Sequence, residues 1–392
     1  DLLEEWVYEL QGLPLPTGAA DEENSSLALF ERSARRSSQA FMLDAANWDA
    51  AVQICRLVGG MPLAIELAAG LVRLLSCAEI AAEVSRSLDV LAASQRNVPE
   101  RHRSMRAVFD YSWRLLSAEE QAVLAALALF AGGFGRDGAL AVAQAGLPML
   151  MALAAKSLVQ RMDTGRYMLH ELVRQYAQER LTSSSAWGSV RDRHLAYVAG
   201  LAETARDELY GTEQRLWLER LELEHDNMRV ALEWAFGGGS TDPGQRAETG
   251  LRLAAGIPRF WNGRGHLREG VGWLERGLAA GPDCAPAVRA EALSTLGWLV
   301  NMLGDTPRAK RLQLESLALC RASGDERGMA EALDALGDSA WFDGALAEAK
   351  AYYTEGLALR RRLGNPSAIG LALYSLGRLE VGRGVSDRRE EG

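Results

Sequence analysis

His170 lies in the run Met168-Leu169-His170-Glu171-Leu172-Val173-Arg174-Gln175-Tyr176-Ala177, where strand character gives way to a helical pattern. The first turn of the helix that it opens could hold an anion, whereas a lone histidine is more often structural. A second candidate is Gly60-Met61-Pro62-Leu63-Ala64, which follows Gly59. The two glycines stop one helix and Pro62 opens the next, where its missing N–H costs little, a reading that needs no ligand. The five histidines (His102, His170, His194, His225, His266) show no metal or nucleophile spacing, so no metal site is expected. The four cysteines lack any CxxC pairing and are expected to be small buried hydrophobes. No G-x-x-x-x-G-K-[ST] run occurs, and none of the three lysines follows a glycine-rich loop. With nothing to cradle a triphosphate and its magnesium, the chain is not expected to act as an enzyme.

These residues need helices to position them. Apolar spacing predicts helices from Ser25, over 47–58, 63–74 and 78–92, with Asn47 as a cap and Gly59-Gly60 as a stop. Glu5 to Leu10 has strand character, Ser94 to Arg103 reads as a linker, and Ser117 caps a helix with Glu119 and Glu120 in its first turn. Helices near 136–145 and 147–156 precede strands over 157–162 and 166–170 around Asp163-Thr164-Gly165, the pattern of a wing on a helical domain. Further breaks fall at 182–189 and at the glycine run 237–244.

The C-terminal part repeats itself. Leu293, Leu333 and Leu373 are spaced by 40, as are Gly297, Gly337 and Gly377, and Gly304, Gly344 and Gly384. Glu275, Glu315 and Glu355 share that step. Each unit reads as a helical hairpin whose apolar face only a neighbour can cover, so a solenoid follows. The units are longer than the usual period of 34 in tetratricopeptide repeats, and the excess is expected in the turns at Gly324-Asp325 and Gly364-Asn365. Among the recurring aromatics Trp261, Trp273, Trp298, Trp341, Phe342, Tyr352, Tyr353 and Tyr374, most should be core and a minority should line a binding groove.

Together, Ile54 to Leu67 and Leu169-His170-Glu171-Leu172-Val173-Arg174-x-Tyr176-Ala177 resemble the helical and winged-helix lids of the STAND, or NB-ARC-like, signalling ATPases. The resemblance implies a mainly α fold: a helical lid domain, a winged-helix domain with a small β wing, then an α-solenoid of helical hairpins. It implies a remnant of the nucleotide-binding domain at 1–16, the helical lid at 17–95, the winged helix at 100–181, a helical connector at 190–236, repeats at 249–384 and a tail at 385–392. It further implies that Pro62 packs against adenine, that Gly60 admits the backbone, and that His170 contacts the β-phosphate of ADP. Leu169 and Glu171 stand where the family's motif has methionine and aspartate. On this reading the chain is a fragment of an ADP/ATP-controlled transcriptional regulator, truncated before its P-loop, whose intact parent is a slow ATPase that oligomerises when activated. Its repeats would sense a small-molecule inducer or protein partner. The alternative is a non-enzymatic interaction scaffold built on the repeats.

Composition sets the outer limits. At 392 residues, 48% hydrophobic and 24% charged, the chain is long enough for several cores and has ordinary globular values. A net charge of −9 argues against a general nucleic-acid surface. Helix 147–156 carries one basic residue and no base-reading side chain, so no direct nucleic-acid contact is expected. Arg101, His102, Arg103 and Arg106 form either an exposed face or contacts to a phosphate or neighbouring domain. No apolar run reaches 18 residues and the acidic start is unlike a signal peptide, so no membrane partner and a cytoplasmic location are expected.

Overall fold

A computed structural model describes residues 12–16, 25–91, 104–237, 243–364 and 366–390. The expected strand at Glu5 to Leu10 and the whole of the linker Ser94 to Arg103 lie outside the described residues. The chain divides into two compact units, 1–190 and 191–392. Among the described residues the fold is helical apart from one two-stranded sheet.

Unit 1 opens with α1 (Ser25–Ser37), α2 (Trp48–Leu57), α3 (Pro62–Ala69) and α4 (Cys77–Arg86) around a core of Leu27, Phe30, Ile54, Ile65 and Ile80. The expected helix over 63–74 is α only to Ala69, and 70–73 tighten into a 3₁₀ turn. Asn47 stands before α2 but does not cap it; its amide instead holds the preceding loop, donating to the Met42 carbonyl at 2.9 Å and accepting from Asp44 N–H at 3.0 Å. Then come α5 (Met105–Arg114), α6 (Ala118–Leu127), α7 (Arg136–Ala143) and α8 (Leu147–Ala155). Ser117 caps α6 in a reciprocal box with Glu120.

Strands β1 (Gln160–Arg161) and β2 (Tyr167–Met168) pair antiparallel, with Gln160 opposite Met168. They are shorter than the expected runs, yet a further bridge joins Phe134 to Tyr167, so the segment after α6 extends the pairing. The sequence of Phe134, flanked by glycines, gives no strand pattern. α9 (Glu171–Thr182) completes the unit, and the break at 182–189 shrinks to 183–186 before α10 (Trp187–Glu208). The boundary between the units falls in the first turn of α10.

Unit 2 continues with α11 (Gln214–Leu223), α12 (His225–Phe236), α13 (Pro243–Gly256), α14 (Pro258–Gly263) and α15 (Leu267–Ala280). The repeat hairpins follow: α16 (Pro286–Met302) with α17 (Thr306–Ser323), α18 (Glu326–Phe342) with α19 (Leu346–Leu363), and α20 (Pro366–Glu390). One apolar cluster runs from Leu195 through Leu232, Leu251 and Trp261 to Ala309, so the helices over 191–236 share a core with the first hairpin.

The excess over a 34-residue period lies in the helices, not the turns. α16 to α19 are 17 or 18 residues long, and only Gly324 and Asp325 separate α17 from α18. Gly324 and Gly364 take left-handed conformations that end their helices sharply. Gly337 serves close packing: a Cβ there would lie 2.5 Å from the Tyr353 ring, whose hydroxyl donates to Asp338 at 2.6 Å. Gly304 and Gly344 form turns with positive φ, whereas Gly384 lies inside α20. Trp261 and Tyr353 are fully buried, while Phe342 and Tyr374 are exposed. Cys55, Cys77 and Cys320 are buried and Cys284 is half-buried. No single helix among the described residues is long and apolar enough to cross a membrane.

Candidate functional site

Two glycines make the corner between α2 and α3, and a third, Gly12, packs against it. Gly59 N–H donates to the Arg56 carbonyl and Gly60 N–H to the Cys55 carbonyl, with φ of +55° and +68°. Two successive left-handed residues favour glycine at both positions, by about 1–2 kcal/mol each over an ordinary residue, which accounts for the pair in the sequence. Leu13 N–H donates to the Gly60 carbonyl at 2.8 Å. A Cβ on Gly60 would come within 2.2 Å of the Leu13 carbonyl oxygen, and one on Gly12 within 2.3 Å of the Gly59 oxygen. The bare backbone at Gly60 thus admits segment 12–16, further pinned by Arg56, which donates to the Pro16 carbonyl at 3.0 Å. Pro62 occupies the first helical position of α3 and is exposed.

His170 closes the other side of this corner. A Cβ on Gly59 would fall 1.7 Å from His170 Nε2, so the imidazole edge lies directly on the glycine. His170 is the N-cap of α9: its Nδ1 accepts from Leu172 N–H at 3.2 Å. That bond places the ring proton on Nε2. Nε2 is buried and closes no hydrogen bond of normal geometry, although the Val58 carbonyl faces it. Burial holds the imidazole pKa below its ordinary value, against the pull of Glu171 and the Val58 carbonyl. The histidine is therefore a neutral Nε2–H donor aimed at the α2–α3 corner.

The rest of the motif is occupied structurally. Burial would raise the Glu171 carboxyl, but two hydrogen bonds from Arg174 at 2.8 Å hold it below the usual range. Gln175 reaches the Ser85 carbonyl at 3.3 Å. Tyr176 packs between Phe109 and Trp113, and its hydroxyl meets Asp110 together with Arg180. Arg106, one of the four basic residues singled out, bridges Asp89 and Glu179, which ties the end of the α4 segment to α9; Arg101, His102 and Arg103 lie outside the described residues. On α8, Leu147 and Met151 are exposed, and Lys156 after it is held by Glu120 at 2.6 Å.

The structure thus brings His170 against Gly59, places Gly60 against Leu13, and leaves Pro62 on the surface. Sequence reasoning missed Gly59 and the Gly12-Leu13 insertion; the doubled glycine was the available clue. Unit 2 adds a polar crevice of about 190 Å³ lined by Arg206, Arg252, Glu291, Ser294, Arg327 and Glu331. Burial raises the Glu291 carboxyl above its ordinary range although Arg206 pairs with it.

The chain is 35% identical over 328 residues to proteins of Mycobacterium tuberculosis and Mycobacterium bovis, each named "Putative HTH-type transcriptional regulator". The alignment covers 79% of this chain and 36% of those proteins, so the chain spans about a third of the length of these curated relatives. A second Mycobacterium tuberculosis protein, uncharacterised, is 36% identical over 186 residues, covering 45% of this chain and 47% of its own length. Among solved structures, the chain is similar to a Signal Transduction ATPase with Numerous Domains with a tetratricopeptide repeat sensor from Pyrococcus horikoshii, at 17% identity and a TM-score of 0.41, over 96% of this chain and 52% of that one. No family model matches the chain.

Proposed function

We propose that this chain is the lid and sensor portion of an ADP/ATP-controlled transcriptional regulator of the STAND type. The observation that carries the reading is the buried Nε2–H of His170, a donor without an acceptor of normal geometry, set on the side-chain-free corner Gly59-Gly60. A neutral imidazole donor at a helix N-terminus suits a phosphate oxygen, and the adjoining Pro62 is exposed for a base to pack on. Residues 25–91 then act as the helical lid and 104–181 as the winged-helix lid. The regulator names of the relatives support control of transcription as the output. Lys156 is already paired and α8 offers apolar residues to solvent, which favours a packing role for α8 over reading DNA bases. This chain would supply no phosphoryl-transfer chemistry of its own, and its parent would be cytoplasmic.

Within the same reading, the helical hairpins bias the lids by binding a small polar inducer or a protein. The crevice at Arg206, Glu291 and Arg327 is smaller than the usual 300 Å³ or more of drug-sized sites, so it suits a small ligand carrying both charges. The exposed Phe342 and Tyr374 support a second reading, in which the hairpins are a protein-docking scaffold.

The test is calorimetry of ADP with the chain and with its full-length parent, wild type against His170→Ala. Losing a hydrogen bond to a charged group should weaken ADP by about 10- to 100-fold. Unchanged ADP affinity in the parent would remove His170 from the nucleotide site and favour the scaffold.

A further inference from the structure

His225 and His266, unremarkable in the sequence, meet in the fold of unit 2. Their ring centroids are 4.1 Å apart. Glu222 lies in the last turn of α11, His225 begins α12, and His266 precedes α15 after the left-handed turn at Gly265. One donor atom from each of Glu222, His225 and His266 lies within 4.8 Å of the other two.

The hydrogen bonding of this cluster is incomplete. His225 is 5% exposed, walled by Phe260 and Trp261, and its Nε2 is buried without a hydrogen bond. The Nε2 of His266 is likewise buried without one. Carboxylates stand nearby: Glu269 Oε2 is 3.2 Å from His225 Nε2, and Glu222 Oε1 is 3.5 Å from His266 Nε2. Glu269 is already committed to Arg229, which donates to both its oxygens at 2.7 Å, and to Trp273. Glu222 is half-exposed, with a 3.7 Å contact to Arg264 besides His266. Two imidazoles at this distance repel if both are cationic, and if neutral they leave buried nitrogens unsatisfied.

We propose that Glu222, His225 and His266 form a tridentate site for a divalent transition-metal ion, clamping the α11–α12 turn to the α14–α15 turn. Two imidazole nitrogens and one carboxylate match the donor set of borderline ions, zinc foremost, and not that of magnesium or calcium. Bonds of about 2.0–2.1 Å in tetrahedral geometry require donor atoms ~3.4 Å apart, close to the 3.5 Å between Glu222 Oε1 and His266 Nε2, and the three donors need to draw in from no more than 4.8 Å. Exposure rises from His225 through His266 to Glu222, which gives an ion an entry from solvent. Glu269, held ionised by Arg229, adds negative potential behind the site.

The experiment uses the full chain freed of metal with a chelator, then titrated with Zn²⁺ by calorimetry and with Co²⁺ by visible absorption. We expect one ion per chain and a Co²⁺ spectrum with the strong ligand-field bands of low coordination. His266→Gln and Glu222→Gln, each on partly exposed residues and checked by circular dichroism, should each weaken binding by about tenfold or more. His225→Ala is the harsher variant and is secondary, because that residue packs in the core. Failure to bind a stoichiometric ion, or binding that neither His266→Gln nor Glu222→Gln changes, overturns the proposal.

Discussion

Gly59→Ala tests whether the corner between α2 and α3 is held shut by His170. Two costs arise. A left-handed conformation at φ +55° costs a non-glycine residue about 1–2 kcal/mol wherever it occurs. The new methyl would also start 1.7 Å from His170 Nε2, so the imidazole must swing away and give up its cap on Leu172 N–H. Losing an N-cap is worth about 1 kcal/mol. The sum is about 2–3 kcal/mol in the wild-type background. In His170→Ala the clash and the cap are both gone, so Gly59→Ala should cost only the backbone strain. The cycle of four proteins therefore predicts a coupling of about 1 kcal/mol. Because a chain of two units does not unfold in one step, the quantity to measure is local: amide exchange of peptides over 54–61 and 170–177, converted to opening free energies. Equal costs of Gly59→Ala in the two backgrounds would refute the contact.

Two further outcomes follow from the same kind of reasoning. Ser117→Ala removes the capping box of α6 and should lower the opening free energy of residues 118–124 by about 1 kcal/mol, with Ser117→Asp largely restoring it; an unchanged exchange rate would count against the box. His194 is 1% exposed, and burial first of all lowers its pKa from 6.5 to about 4, against the hydrogen bond with Asn227. The folded state then refuses a proton that the unfolded chain accepts, so stability is present above pH 6.5 and is lost as pH falls from 6.5 toward 4. Between pH 7.5 and pH 5 this amounts to about 2 kcal/mol, which amide exchange of peptides around His194 in wild type and His194→Gln, converted to opening free energies, should reveal as a steeper acid loss in the wild type; parallel pH profiles would contradict it.

What could be read in the sequence is what neighbours in the chain determine. Helix starts at Ser117 and Pro62, the stop at Gly59-Gly60, the place of His170 at a helix start and the 40-residue step of Leu293, Leu333 and Leu373 all depend on hydrogen bonds or apolar spacing within a few residues. The mainly α fold with its helical hairpins follows from those. The length of the repeat helices was misassigned to the turns because a left-handed glycine marks where a helix ends but not how far back it began. Contacts between segments distant in the chain were decided only by tertiary packing. Residues 12–16 thread against Gly60, the His170 ring settles on Gly59, and His225 meets His266 because α12 and α15 pack around Trp261. No local pattern encodes such meetings: a glycine reads the same whether its missing side chain makes room for a turn, a ligand or a histidine, and the fold alone chooses which.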